Sequence, residues 1–212
     1  MMKAVVFDYN GVLVDDLKVH EEAYIELAKR HNSKLTPEDI KRIMSKSPGE
    51  KAELIMNIKN KNIIKKLLKE KENIYIEMSD NTRLFPSVID VITSLSEKYK
   101  LAIITHTTRK QLDAIFPSEL VKKFEIILDF NDLEKPKPAP NSLLLVMEKL
   151  DVKNTESCYI GDTPFDMKAA KNANVLAIGI TTGFSNKEEL EEAGADIVIG
   201  SLSELEGALQ NR

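Results

Sequence analysis

Short apolar runs punctuate the chain at Ala4–Phe7, Leu101–Ile104, Ile126–Leu128, Cys158–Ile160, Val175–Ile180 and Ile197–Ile199. Runs this short and this continuous predict strands buried on both faces of a parallel sheet. Between them the apolar residues fall at helical spacing, as in Val88, Val91, Ile92 and Leu95, and again in Leu143, Leu144, Met147 and Leu150. Such stripes predict amphipathic helices. Strand and helix in alternation imply an α/β fold: a Rossmann-like, doubly wound parallel sheet with helices on both faces.

The interval from Asp8 to Leu101 breaks the rhythm, with no convincing strand pattern. Thr36-Pro37-Glu38-Asp39 reads as a helix start, with a capping hydroxyl, proline at the first helical position and acids in the first turn. Ile63, Ile64, Leu67, Leu68, Ile74, Tyr75 and Met78 mark a long amphipathic helix, and the lysines of Lys59–Lys71 read as its solvated face. The expected organisation is a core of residues 1–15 and 82–212 carrying an inserted helical domain of residues 16–81.

Composition narrows the partners. With 42% hydrophobic and 30% charged residues over 212 positions, the chain is an ordinary globular one, long enough for a substantial core. A net charge of −4 gives no broad field for attracting nucleic acid or an anionic membrane. No apolar run approaches the ~20 residues of a membrane span, and the stretch before Lys3 is too short for a secretory leader, so the expectation is a cytoplasmic protein. The single cysteine, Cys158, has no internal disulfide partner and sits in a strand-like run, as a structural thiol would.

In an open α/β sheet, ligands bind beyond the carboxyl ends of the strands. The residues there carry chemistry: Asp8 after the first run, Thr105 and His106 after the second, Lys137 after the third, Asp162 after the fourth, and Asp166 one helical turn later. Asp8 and Asp162 at adjacent strand ends would repel each other unless a cation lay between them. Oxygen ligands without a Cys/His cluster favour Mg²⁺ over zinc, with Asp166 as a further ligand or an outer partner. A phosphate beside that ion would find the Thr105 hydroxyl, the Lys137 ammonium and the His106 N–H. Asp8, in line with phosphorus, is a candidate nucleophile.

Phe7-Asp8-Tyr9-Asn10-Gly11-Val12-Leu13-Val14-Asp15, Ile103-Ile104-Thr105, Lys137-Pro138-Ala139-Pro140 and Gly161-Asp162-Thr163-Pro164-Phe165-Asp166 resemble, in order and spacing, the four motifs of the haloacid dehalogenase-like hydrolases. The resemblance covers nearly the whole chain and is to the phosphoglycolate phosphatase and β-phosphoglucomutase branch with a helical cap. Leu84-Phe85-Pro86, Thr182-Gly183-Phe184 and Glu188-Glu189-Leu190 add to it. It implies a phosphatase acting on a small phosphorylated metabolite through an aspartyl-phosphate on Asp8. Mg²⁺ would be held by Asp8, the Asn10 carbonyl, Asp162 and Asp166, and the phosphoryl oxygens by Thr105, His106 and Lys137. Lys137 is preferred to Lys135 because its Pro-Ala-Pro keeps the motif's register. The cap would close over the substrate, with His20 facing the site and the Ser45–Lys51 loop, through Ser47 and Lys51, reaching the non-reacting end. A monomer or homodimer is expected.

Asn10 departs from the pattern, because family phosphatases carry an aspartate there that protonates the leaving group and then activates water. An amide can hydrogen-bond a substrate oxygen but cannot transfer a proton in the working pH range. The readings left open are a weak phosphatase, a catalytically impaired or regulatory phosphate-binding protein, a phosphomutase, an inactivating substitution and, less well matched, a dehalogenase.

Overall fold

The structure, a computed structural model, describes residues 1–36, 39, 50, 54 and 59–210. Its strands are β1 (Ala4–Phe7), β2 (Val14–Asp15), β3 (Arg83–Leu84), β4 (Lys100–Ile104), β5 (Ile126–Leu128), β6 (Ser157–Gly161), β7 (Leu176–Ile180) and β8 (Ile197–Ile199). Its helices are α1 (Leu17–Arg30), α2 (Lys61–Glu77), α3 (Val88–Ser96), α4 (Arg109–Ile115), α5 (Ser118–Val121), α6 (Asn141–Leu150), α7 (Pro164–Asn172), α8 (Lys187–Glu192) and α9 (Leu205–Gln210). The chain divides into two compact units, Met1–Asp15 with Arg83–Arg212, and Asp16–Thr82.

In the first unit six parallel strands run in the order β5-β4-β1-β6-β7-β8. Side chains alternate across the sheet with the strand period of two. Val5, Phe7, Leu101, Ile103, Cys158, Ile160, Ile178 and Ile180 enter one core with α3 and α9, while Ala4, Val6, Ala102, Ile104, Tyr159 and Ala177 enter the other with α6 and α7. Both faces are therefore dry, which explains why the strands read as unbroken apolar runs. The six runs expected from the sequence are the six strands of this sheet, and β7 starts at Leu176, one residue later than read. Cys158 is fully buried, and that burial pushes its thiol up to about 12.

Four readings need correction. The interval after Asp8 does contain strands: Val14 and Asp15 pair with Leu84 and Arg83. Two-residue strands are too short to show an alternation, and their pairing joins segments far apart in sequence. On α6, Leu144 is exposed and Val146 takes the buried place expected of it. On α2, Ile63 is exposed. Lys71 does not belong to that helix's solvated face; it is buried, its ammonium 5.0 Å from the Tyr24 ring centroid and 4.8 Å from that of Tyr75.

In the second unit α1 and α2 pack through Ala23, Tyr24 and Leu27 against Ile64, Leu67, Ile74 and Tyr75. His31, at the C-terminal end of α1, lies 2.8 Å from Glu70. Thr36 and Asp39 cap each other reciprocally, as the sequence there suggested. Among the described residues, no helix is long and apolar enough to cross a membrane.

Candidate active site

The strand order reverses direction at β1, which has β4 on one side and β6 on the other. Hydrogen bonding continues one residue past the strands: the Asp8 N–H donates to the Ile160 carbonyl at 2.8 Å and the Thr105 N–H to that of Leu128 at 3.0 Å. Asp8, Thr105 and Asp162 thus leave neighbouring strand ends at the switch point, where open α/β sheets bind ligands.

Lys137 comes into this group from the loop before α6. Its buried ammonium lies 2.9 Å from Asp8 Oδ2, 2.7 Å from Asp166 Oδ1 and 2.8 Å from the Tyr159 hydroxyl. An ammonium has three N–H donors, so these three acceptors saturate it. Asp166 is equally engaged. Its Oδ1 accepts from Lys137 and, at 3.0 Å, from the Tyr159 hydroxyl, and its Oδ2 accepts from the Thr163 N–H at 3.0 Å and hydroxyl at 2.5 Å. Thr163 and Asp166 form a capping box, with Pro164 at the first position of α7, so the helix start that the sequence encodes also fixes the carboxylate.

Asp162 is placed by the backbone around it. Its Oδ2 accepts from the Phe184 N–H at 2.7 Å. A Cβ on Gly183 would lie 2.0 Å from that same oxygen, and one on Gly11 2.4 Å from it. Gly11 also has φ +74°, a conformation that glycine adopts at no steric cost. The Thr182 hydroxyl donates to the Gly11 carbonyl at 2.8 Å, joining these two glycine turns.

Asn10, half-buried, accepts through Oδ1 from the Thr107 hydroxyl at 2.6 Å and the Thr105 hydroxyl at 3.3 Å. The Thr105 oxygen in turn accepts from the Thr107 N–H at 3.0 Å.

Three buried carboxylates facing one ammonium leave an excess of negative charge. Asp8, Asp162 and Asp166 each place an oxygen within 4.8 Å of the others. Burial, opposed by Lys137 and reinforced by Asp166, raises the Asp8 carboxyl to about 6. Burial, then the charges of Asp166 and Asp8, hold Asp162 well above the usual carboxylate range. Burial also works against the Asp166 carboxylate, but the charge and hydrogen bond of Lys137, with Thr163 and Tyr159, outweigh it and hold Asp166 low. Lys137 is pulled down by burial yet stays above the usual lysine range because of Asp166 and Asp8. Two carboxylates that resist ionisation side by side, with oxygen donors only, are a setting that a divalent cation fits; Asp8, Asp162 and Asp166 can hold a metal ion.

Of the residues singled out in the sequence, Asp8, Lys137, Asp162 and Asp166 come together, with Asn10 and Thr105 linked beside one another and His106 half-buried next to Thr105. His20 belongs to the second unit, where its Nδ1 meets the Lys71 ammonium and its Nε2 lies 3.3 Å from Asp16 Oδ2. Ser47 and Lys51 lie outside the described residues. Tyr159, Thr107, Thr163 and Gly183 were not anticipated as site residues. Thr163 carried a local signal, the Thr-Pro-x-Asp helix start, and Gly183 lay in the Thr182-Gly183-Phe184 segment without a role attached to it; a tyrosine inside an apolar run looks like any core residue.

Residues 5–180 match the family model of the haloacid dehalogenase-like hydrolases. The chain is similar to the phosphorylated carbohydrates phosphatase of Thermotoga maritima, at 29% identity over 92% of each chain. It is also similar to the phosphoglycolate phosphatase of Escherichia coli, at 28% identity over 61% of this chain and 52% of that one. Against the latter, the matched segment spans about half of the relative's length. Among solved structures, one from Bacteroides fragilis assigned to the haloacid dehalogenase-like hydrolases aligns with a TM-score of 0.85 at 26% identity, covering 97% of this chain and 100% of that one. A Thermotoga maritima structure assigned as a β-phosphoglucomutase aligns with a TM-score of 0.75 at 27% identity, covering 99% of each.

Two outcomes are expected. Because the folded Asp8 carboxyl titrates at about 6, above its unfolded value, its stabilising contribution is complete below about pH 4 and is lost as pH rises through 6. Asp166 runs the other way, but its contribution is already complete above the ordinary carboxylate range. Asp162, also held above the ordinary range, adds to the loss in the same direction, so metal-free protein should melt at a lower temperature at neutral pH than near pH 5, with added Mg²⁺ restoring the loss and Asp8→Asn reducing the dependence; differential scanning fluorimetry reads all three. Gly183→Ala should push the Asp162 carboxylate aside and weaken the Mg²⁺-induced rise in melting temperature at least tenfold in cation concentration.

Proposed function

The chain belongs to the haloacid dehalogenase-like hydrolase family, and on that premise we propose that it is a Mg²⁺-dependent phosphatase of small phosphorylated metabolites, slow because position 10 is an amide. The observation that carries the reading is the buried Lys137 ammonium set between Asp8 and Asp166, with Asp162 alongside. That arrangement offers a nucleophilic oxygen, a cation-binding pair and a fixed positive charge at one point.

Asp8 attacks phosphorus through a carboxylate oxygen, the substrate's bridging P–O bond breaks, and the phosphoryl group rests on Asp8 as an acyl phosphate. The raised Asp8 carboxyl must be ionised for this, which Lys137 and a cation both favour. The Lys137 charge beside Asp8 offsets the phosphoryl charge, and the Thr105 hydroxyl and the His106 backbone N–H are the donors for the phosphoryl oxygens. Asp8, the Asn10 backbone carbonyl and Asp162 would hold Mg²⁺, whose chemistry is to neutralise phosphoryl charge. Asp166 already accepts four hydrogen bonds, so it serves this group from behind, through Lys137.

Neither step has its usual proton carrier. The departing oxygen must take its proton from water, and the water that cleaves the acyl phosphate must lose its own without help from Asn10. The Asn10 Oδ1 is held by Thr107 and Thr105. This favours a second reading beside the first: phospho-Asp8 persists, and the protein turns over slowly or acts by holding the phosphoryl group. The names of the relatives make carbohydrate phosphates and phosphoglycolate the first substrates to try.

Asn10→Asp should raise turnover by roughly 10²–10⁴, the usual worth of general acid–base catalysis. Phosphate release from sugar phosphates, phosphoglycolate and p-nitrophenyl phosphate measures it. Before the substitution, intact-mass spectra after incubation with substrate should show one added phosphoryl group. An unchanged rate in the aspartate variant, on every substrate, would count against the phosphatase reading.

A further inference from the structure

We propose that Tyr159 is a positioning residue for this site: its hydroxyl, wedged between Lys137 and Asp166, fixes the ammonium that faces the nucleophile. The inference rests on the reading of Lys137 as the cation that holds the phosphoryl group, and it adds a residue that no sequence motif marks.

Tyr159 lies on β6, paired with Val6 of β1, in the middle of the sheet. Its ring is fully buried in the core that includes Met147, Met167 and Ala170. A phenylalanine would supply that packing without burying a hydroxyl, which costs free energy unless the group is hydrogen-bonded. The hydroxyl here is used twice, accepting from Lys137 Nζ at 2.8 Å and donating to Asp166 Oδ1 at 3.0 Å. With the direct Lys137–Asp166 contact of 2.7 Å, the three atoms close a triangle.

That triangle leaves the third N–H of Lys137 directed at Asp8 Oδ2, 2.9 Å away. Without the hydroxyl, one N–H of a buried ammonium loses its acceptor, and the ammonium is free to rotate or slide toward either carboxylate. Gly161, the next residue on the same face of β6, completes the arrangement. A Cβ there would come within 2.3 Å of Asp166 Cβ, so the glycine makes room for the carboxylate that the tyrosine then binds. Successive positions on one strand face thus supply a gap and a hydroxyl for one carboxylate.

The test uses Tyr159→Phe in the full chain, with Tyr159→Met, which refills much of the volume, as the substitute should the first not fold. Two readouts are taken. In ¹⁵N-labelled protein, the Lys137 ammonium, assigned by its disappearance in Lys137→Arg, should give a slowly exchanging signal that is lost in Tyr159→Phe. In the Asn10→Asp background, Tyr159→Phe should lower kcat for p-nitrophenyl phosphate about 10- to 100-fold, with KM within about twofold. A purely structural tyrosine predicts a lower melting temperature with both readouts unmoved, and that result overturns the proposal. So does a wild-type protein with no such signal, or a lost signal with unchanged kcat. If Asn10→Asp turns over no phosphate ester, the phosphatase reading fails while the ammonium spectrum still decides whether Tyr159 fixes Lys137.

Discussion

The site depends on keeping one ammonium ionised in a dry place. Burying an isolated charge is prohibitively costly, and a buried ion pair is tolerated only when geometry and additional hydrogen bonds compensate for lost water. Lys137 meets that condition with three acceptors for three donors, and Asp166 meets it with two hydrogen bonds to each oxygen. Removing one partner leaves an uncompensated charge, at a cost of about 3–5 kcal/mol. The partners come from β1, the loop before α6, β6 and α7, so the requirement fixes how these segments assemble.

The sheet satisfies the requirement through its topology. β1 enters at the centre, and the chain then builds outward first on one side, through β4 and β5, and later on the other, through β6, β7 and β8. Only at such a reversal do the loops after adjacent strands diverge to opposite faces and leave a crevice between them. Glycines at 11, 161 and 183 let backbone and carboxylates approach more closely than any Cβ allows. Tight approach and low dielectric have the same effect on Asp8 and Asp162: each carboxyl resists ionising until positive charge arrives.

How much of this could be read from the sequence follows from the range of each signal. The four inner strands of the sheet are buried on both faces and the two edge strands are half-buried, so all six were visible as apolar runs; β2 and β3, two residues each and paired across the inserted unit, gave no local pattern. Asp8, Thr105 and Asp162 were accessible because each directly follows a strand. Lys137 needed its Pro-Ala-Pro context to be preferred over Lys135. Tyr159 was hidden because its ring obeys the strand period and only its hydroxyl does the unusual thing, and a hydroxyl's target is a tertiary fact. Lys71 was misread for the same reason: nothing near it in the chain announces the two tyrosine rings beside it.

On the proposed function, Asn10 has an electrostatic meaning as well as a catalytic one. A carboxylate at position 10 would add a fourth negative group to a pocket where Asp8 and Asp162 are already held away from ionisation, and it would face the Thr105 and Thr107 hydroxyls as a stronger acceptor. The amide keeps both hydroxyl bonds and adds no charge, which favours ionised Asp8 and the binding of a phosphate dianion. What it removes is the capacity to take and return a proton. Under the proposed function, binding and turnover separate at this side chain: Asp8, Lys137 and Thr105 would attract and hold a phosphoryl group, while an amide stands where a proton carrier would hasten its departure.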